Sequence, residues 1–458
     1  MIENDAFKLL LINLFHLNPD DIANILCTTF NKMMVLVVTL TDKHQACPYC
    51  GFTAPKIKEY VTKEITHSAL TTQKCIIKYR ARRYKCSCCG KTYYEFNPFV
   101  FKSQKISILT VHNILKDLKD FNETFTSVAR RYHVSPTSVS TIFDNHVDIG
   151  RNPLPEIINF DEVYAFKSEK SKYVCVLLDF KKQIPVDVLP NRKKEYLLNY
   201  FQKIPLEERK KVKYACSDMY EVYRDVVHKV FPCSCMLLDY FHLSQDFHRK
   251  MNEVRIKVMK GYKDDKASDE YYLLKKFNWL LFKNPEDEDK YGRLFDVERE
   301  RKYNSHFKSY MNYYDLRRKL LEINNDLTIC YSLKLELVDF YSKSTIDNAQ
   351  VNLEHLIRSC IDTNIEEMIA FSNNLINWKQ EIINSFTIVG TEYKVEADKG
   401  QVVVCNKKVN NAIIENRNKI IKCIKNNANG YTNWSRFRNR VMYVLDPNTT
   451  FSLEPREK

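Results

Sequence analysis

Residues Ile158–Phe180 read INFDEVYAFKSEKSKYVCVLLDF, and the fold turns on how this stretch pairs with itself. Two strands are legible in it. Ile158, Phe160 and Val163 surround Asp161, and Tyr173–Leu178 is an apolar run that closes on Asp179. Short apolar runs bounded by polar residues predict buried strands. The acid pair Asp161-Glu162 thus sits among residues that call for burial. A buried carboxylate is costly unless a cation or hydrogen-bond donors compensate it. An edge strand with Asp161 facing water is the plainer alternative for this stretch taken alone.

The residues that follow favour the buried reading. Gln183–Leu189 predicts a third strand, and Lys193–Gln202 a helix with Tyr196, Leu197, Tyr200 and Phe201 on one face. Val212–Cys216 reads as a strand ending at Ser217-Asp218, Tyr220–Val230 as a helix, and Cys233–Leu238 as a strand ending at Asp239. Three closely linked strands predict an antiparallel meander, and strands joined through helices predict parallel additions to it. The order β-β-β-α-β-α-β is that of an RNase H-like sheet, in which Asp161 and Asp218 would lie side by side.

Upstream, CPYCG (Cys47, Cys50, Gly51) and CSCCG (Cys86, Cys89, Gly90) are two Cys-x-x-Cys-Gly knuckles. Four thiolates so spaced predict one tetrahedral Zn²⁺, with each glycine allowing the tight turn beneath the metal. Four buried free thiols are the alternative. Cys88 could compete with Cys89, Cys75 reads as structural, and Lys74–Tyr84 reads as a strand. A closed four-ligand site is silent on catalysis. The chain has 15 cysteines, mostly scattered, which argues for reduced thiols rather than a disulfide framework.

Ile106–Leu118 predicts a helix, as does Phe125–Tyr132. Ser135-Pro136 then opens Thr137–Phe143 with an N-cap serine and a proline at the first helical position. With Ala129 at the crossing and Val139 and Ile142 inward, this is the pattern of a helix-turn-helix. Thr137, Ser138, Ser140 and Thr141 would face a major groove; a helical hairpin without DNA contact has the same pattern. Arg80, Arg82 and Arg83 are further candidates for phosphate contact. The net charge of +14 favours a polyanionic partner.

At 458 residues the chain can hold two or three domains. Phe7–Leu17 is too short and too acidic at its start for a signal peptide. No run reaches a membrane span, and a cytoplasmic protein is expected.

Beyond Asp239, a long helix runs to about Lys260. From there to about Asn377 only helices are read: Tyr271–Leu281, Phe307–Asn324, Thr328–Ser342 and Gln350–Asn377. This predicts an all-helical insertion. Asn410–Lys425 is a last amphipathic helix. Ile413, Ile414, Ile420, Ile421 and Ile424 are assigned to one side, and Asn411, Glu415, Asn418, Lys419 and Lys422 to the other. Glu415 is read either as half of a solvated pair with Lys419 or as an acid carried to a site whose lysines meet phosphates. Glu392 and Glu396, in TEYKVEADKG, read as parts of a surface hairpin.

Together these blocks resemble bacterial insertion-sequence transposases of the ISL-three family. The resemblance runs nearly end to end, through the two knuckles with YRARRYKC, the helix-turn-helix, NFDEVYAF, the strand ending at Ser217-Asp218, LDYFHL, LLKKFNWLLFKNPED and CYSLKLELVDFYS. It is most specific in ENRNKIIKCIKNNANGYTNWSRFRNR, where Glu415, Ala428, Gly430, Tyr431 and Arg438 fall in step. Asn416 departs from the family's usual glycine.

The resemblance implies a DDE transposase with Asp161, Asp218 and Glu415 as its acids around two Mg²⁺ ions, and with Asp239 and His242 auxiliary. It implies double-stranded DNA, as element ends and as target, and a homo-oligomer in the synaptic complex. The expected organisation is 1–100 with the zinc ribbon and 101–150 as helix-turn-helix. It continues with 151–243 as first part of an RNase H-like core, 244–377 as the insertion, and 378–458 as the second part carrying the third acid. A zinc-ribbon and helix-turn-helix regulator derived from an inactive copy is the competing reading, and a nuclease without strand transfer is a third.

Overall fold

The computed structural model describes residues 2–456 except 44, 69, 71, 102–103, 167–170 and 396–401. Helix α1 (Ile2–Leu14) precedes a hairpin of β1 (Ile22–Phe30) and β2 (Met33–Leu40). Asn31 and Lys32 turn it, both at positive φ (48° and 59°), the backbone that matches a hairpin's twist. β3 (Lys56–Thr66), β4 (Cys75–Lys85) and β5 (Thr92–Tyr94) complete the sheet in the order β1-β2-β4-β3, with β5 on β4. Cys75, Ile77, Tyr79 and Ala81 alternate along β4 into the core, so Cys75 is a packing residue. Met33–Leu40 and Lys74–Tyr84 read as strands from the sequence, whereas β1, β3 and β5 carry no such reading.

Three helices follow: α2 (Ile108–Asp117), α3 (Phe125–Arg131) and α4 (Pro136–His146). Ser107, Thr124 and Ser135 cap them through their hydroxyls. Ala129, Val139 and Ile142 are buried between them, as expected. The same core also takes Tyr443 and Phe451 from the far end of the chain, so the three-helix unit is not closed at residue 150.

The second sheet holds β6 (Ile157–Val163), β7 (Val174–Asp179), β8 (Pro185–Leu189), β9 (Tyr214–Ser217) and β10 (Cys235–Leu238), ordered β10-β9-β6-β7-β8. β6-β7-β8 is antiparallel, while β9 and β10 add parallel to β6. This is the predicted arrangement. Helices α5 (Lys194–Gln202) and α7 (Glu221–Val230), with the single turn α6 (Leu206–Arg209) between them, lie on the Ile158 and Phe160 face.

Between β10 and the last strands stands a large helical cluster. It comprises α8 (Tyr240–Lys260), α9 (Asp269–Lys276), α10 (Tyr313–Glu322), α11 (Asn325–Lys343), α12 (Ala349–Asp362), α13 (Glu366–Asn377) and α14 (Lys379–Asn384). It is not all-helical. β11 (Glu288–Asp289) pairs β12 (Gly292–Arg293), and β13 (Lys302–Asn304) pairs β14 (Ser309–Met311). The helix expected from Phe307 begins only at Tyr313. Asn304 accepts from the His306 amide and holds a turn, a local bond that competes with helix, and Asn312 restarts the helix with a capping box. The single helix expected over Gln350–Asn377 breaks at Asn364, whose φ is 56°. The cluster's core extends past 377 to Ile382 and Phe386.

A hairpin of β15 (Ile388–Val395) and β16 (Val402–Lys408) returns the chain to the sheet. α15 (Ala412–Asn427) and α16 (Trp434–Leu445) then cover its other face, packing Ile414, Ile421, Phe437 and Val441 against Val163, Val176 and Val188.

Candidate active site

Strand periodicity decides between the two adjacent acids. Side chains alternate along β6, so Asp161 shares a face with Asn159 and Val163, toward α15. Glu162 points to the α5–α7 side, where Arg192 pairs with it and Tyr223 lies at 3.5 Å. Register then aligns three aspartates. Asn159 pairs with Cys216, and Leu238 with Ser217. Asp161, Asp218 and Asp239 therefore stand abreast at the carboxyl ends of three neighbouring parallel strands.

Asp161 is 8% exposed. Its Oδ1 accepts from the Glu162 amide at 2.7 Å and its Oδ2 from Asn418 Nδ2 at 2.7 Å. Burial first, and then the nearby Asp218 charge, push its carboxyl up to about 7, against the pull of that amide and of His242. Burial and the Glu162 charge likewise raise Asp218 to about 6, with His242 and Arg192 opposing. Asp239 is raised too, by burial and by Glu415, while His242 and the amides of Asn411 and Phe241 favour its charge. At each of these carboxylates burial outweighs the cationic pull of its neighbours.

Glu415 lies in the first turn of α15. Its carboxylate comes together with the Asp239 carboxylate and the His242 imidazole, the three ligand atoms all within 4.8 Å of one another. Asp218 Oδ1, Asp239 Oδ2 and His242 Nε2 are buried without a hydrogen-bond partner. Such orphaned acceptors fit divalent cations, whose hard charge takes oxygen ligands. Lys419 and Lys422 are exposed on α15, Lys419 reaching Asn416 at 3.4 Å rather than Glu415. Glu392 lies on β15. Glu396 lies outside the described residues.

Asn411 and Asn418 are not on the polar side of α15. Both are buried. Asn411 accepts from Asn159 at 2.6 Å and donates to the Phe160 carbonyl at 3.3 Å, while Asn418 holds Asp161. The signal was present in the sequence. At ~100° per residue Asn418 falls about 40° from Ile414, inside the isoleucine stripe, and a polar group in an apolar stripe needs a partner.

In the first sheet the four cysteines converge. Cys47 and Cys89 sulfurs are 3.7 Å apart, Cys50 and Cys86 3.5 Å, and all four lie within 4.8 Å. Gly51 and Gly90 take φ of 74° and 71° and donate back to the Cys47 and Cys86 carbonyls at 2.8 and 3.0 Å. Cys88 is exposed and outside the group. Four thiols so placed fit Zn²⁺.

On α4, Thr137 and Thr141 are exposed, whereas Ser138 and Ser140 are half-buried. Ser138 is bonded to the Ser135 hydroxyl at 2.8 Å, and Ser140 donates to the Thr137 carbonyl at 3.0 Å. Among the described residues no helix is long and apolar enough to cross a membrane.

The model of the ISL3-type DDE family, described as "Transposase", matches residues 158–397, just over half the chain and ending short of Glu415. The chain is also similar to the transposase for insertion sequence element IS1001 of Bordetella parapertussis. The two are 20% identical over 411 residues, which cover 89% of this chain and 90% of that protein.

Proposed function

Because the chain belongs to the ISL3 family of DDE transposases, we propose that it binds the terminal inverted repeats of an insertion sequence and catalyses strand cleavage and strand transfer there, with Asp161, Asp218 and Glu415 as the three acids. The observation that carries this reading is the row of carboxylates at the ends of β6, β9 and β10, opposite α15, with buried oxygens left unpartnered. Two Mg²⁺ ions bound there would stabilise the attacking and leaving oxygens of an in-line displacement at phosphorus. Asp161 offers its carboxylate in one direction, because a strand holds its backbone while the Glu162 amide and Asn418 hold its oxygens. Strand alternation turns Glu162 to the opposite face, where Arg192 pairs with it. No side-chain nucleophile is required, since water or a DNA 3′-hydroxyl attacks.

In this reading α3 and α4 form a helix-turn-helix, with Thr137 and Thr141 toward base edges and Ser138 and Ser140 partly engaged within α4. Lys419 and Lys422 take phosphates beside the acids, and Cys47, Cys50, Cys86 and Cys89 hold one structural Zn²⁺. The test is to incubate the protein and Mg²⁺ with duplexes carrying the element's ends and a second DNA. Nicking at the ends followed by joining is expected. Nicking without joining would leave a nuclease, and end binding without nicking would leave a regulator.

A further inference from the structure

Asp239 and His242 do more in the structure than flank the acids. Asp239 occupies the N-cap of α8, and a residue there ordinarily closes the helix with its side chain. No side-chain hydrogen bond closes this cap. The Asp239 side chain is only 5% exposed, and its Oδ2 has no partner. His242, one turn on, turns Nε2 toward that oxygen and is equally unpartnered there. The two atoms are 3.8 Å apart, too far for a hydrogen bond. Glu415 completes a triangle with every side within 4.8 Å. Donors about 2.0–2.2 Å from a shared cation stand roughly 3–4 Å from each other. The arrangement is too open for an Asp–His hydrogen bond and suited to an ion between them.

We propose that Asp239, His242 and Glu415 form one cation site, so that the ion held by Glu415 takes an imidazole nitrogen as well as two carboxylates. This rests on the transposase reading of Glu415 and sharpens it. The donor set changes the preferred metal. Mg²⁺ takes oxygen ligands almost exclusively, whereas an imidazole beside two carboxylates favours a transition-metal dication; Mn²⁺, which also accepts oxygen-rich sites, is the paramagnetic probe of that preference. Asp161 and Asp218 offer oxygen only, so the two ions of the site would differ in character.

Full-length protein without a histidine tag, loaded with Mn²⁺, should show nitrogen hyperfine coupling in pulsed paramagnetic resonance. His242→Gln should abolish the coupling and weaken Mn²⁺ binding about tenfold or more. Asp239→Asn should weaken it similarly, with a thermal melt verifying that each variant is folded. Asp161→Asn should keep the nitrogen coupling, because Asp161 is not part of the triangle that holds the imidazole. Bound Mn²⁺ without nitrogen coupling, or coupling that survives His242→Gln, would overturn the inference and leave the transposase reading standing. Failure of the folded parent to bind Mn²⁺ at all would overturn both.

Discussion

Asn418 donates to Asp161 from within the apolar stripe of α15, tying the helix that carries Glu415 to the strand of Asp161. An amide can donate there without adding charge, where another carboxylate would raise the repulsion around Asp161. Asn418→Ala should therefore lower Mg²⁺-dependent cleavage about 10–100-fold, the usual cost of losing a group that orients a ligand. End binding by gel shift should be unchanged; a parent-like cleavage rate would show that Asp161 needs no such support. The acids themselves should behave more sharply. Asp161→Asn, Asp218→Asn and Glu415→Gln should abolish cleavage and retain end binding, since an amide cannot offset a cation. Glu392→Gln, on β15, should cleave close to the parent rate. Cleavage by Glu415→Gln protein would move the third acid elsewhere.

At the scale of elements, two junctions carry testable chemistry. The cysteine knuckles join the ends of β4 and β5 to the loop before β3. Cys47→Ser should release about one Zn²⁺ per chain and impair end binding while the second sheet stays folded. Freshly prepared parent protein without zinc would refute this. The other junction is His67, where α1, β3 and α2 meet. Its ring bonds the Phe15 carbonyl at 2.8 Å and the Ser107 hydroxyl at 2.9 Å. The neutral form meets both if Nε2 donates to the carbonyl and Nδ1 accepts. Burial pushes its pKa below the ordinary 6.5. The unfolded chain therefore binds this proton first, so the contribution is present above pH 6.5 and is lost as pH falls toward the lower folded value. The urea midpoint of the first sheet should drop between pH 7 and 5, and His67→Gln should flatten that dependence.

Across the whole molecule, the C-terminal helix holds the three-helix unit against the second sheet. From α16, Arg436 pairs with Asp144 of α4, Arg438 with Asp187 of β8, and fully buried Arg440 donates to the Asp120 and Glu123 carbonyls. Tyr443 fills the core of α2–α4 and donates to the Leu115 carbonyl. One helix thus touches both the DNA-recognition candidate and the sheet bearing the acids. Tyr443→Ala should cost about 3–5 kcal/mol, as for other large aromatics removed from a core. The loss should appear as a lower denaturation midpoint for the α2–α4 unit, and a change below ~1 kcal/mol would mean that the unit stands by itself.

What the sequence determined was local and periodic. Apolar residues around Asp161 and short apolar runs ending at Asp218 and Asp239 defined β6, β9 and β10, and their linkers decided parallel from antiparallel. The paired Cys-x-x-Cys-Gly knuckles announced a four-thiol cluster, and Ser135-Pro136 the start of α4. Tertiary structure decided what depends on partners distant in the chain. Asn418 could be assigned a place only once Asp161 lay opposite it, because an amide inside an apolar stripe is tolerated only where a buried acceptor meets it. The triangle of Asp239, His242 and Glu415 closes across an insertion of some 140 residues, a separation over which no periodicity carries information. The hairpins inside that insertion escaped for the opposite reason. Each is so short that local side-chain bonds such as those of Asn304 and Asn312, rather than any hydrophobic pattern, set its backbone.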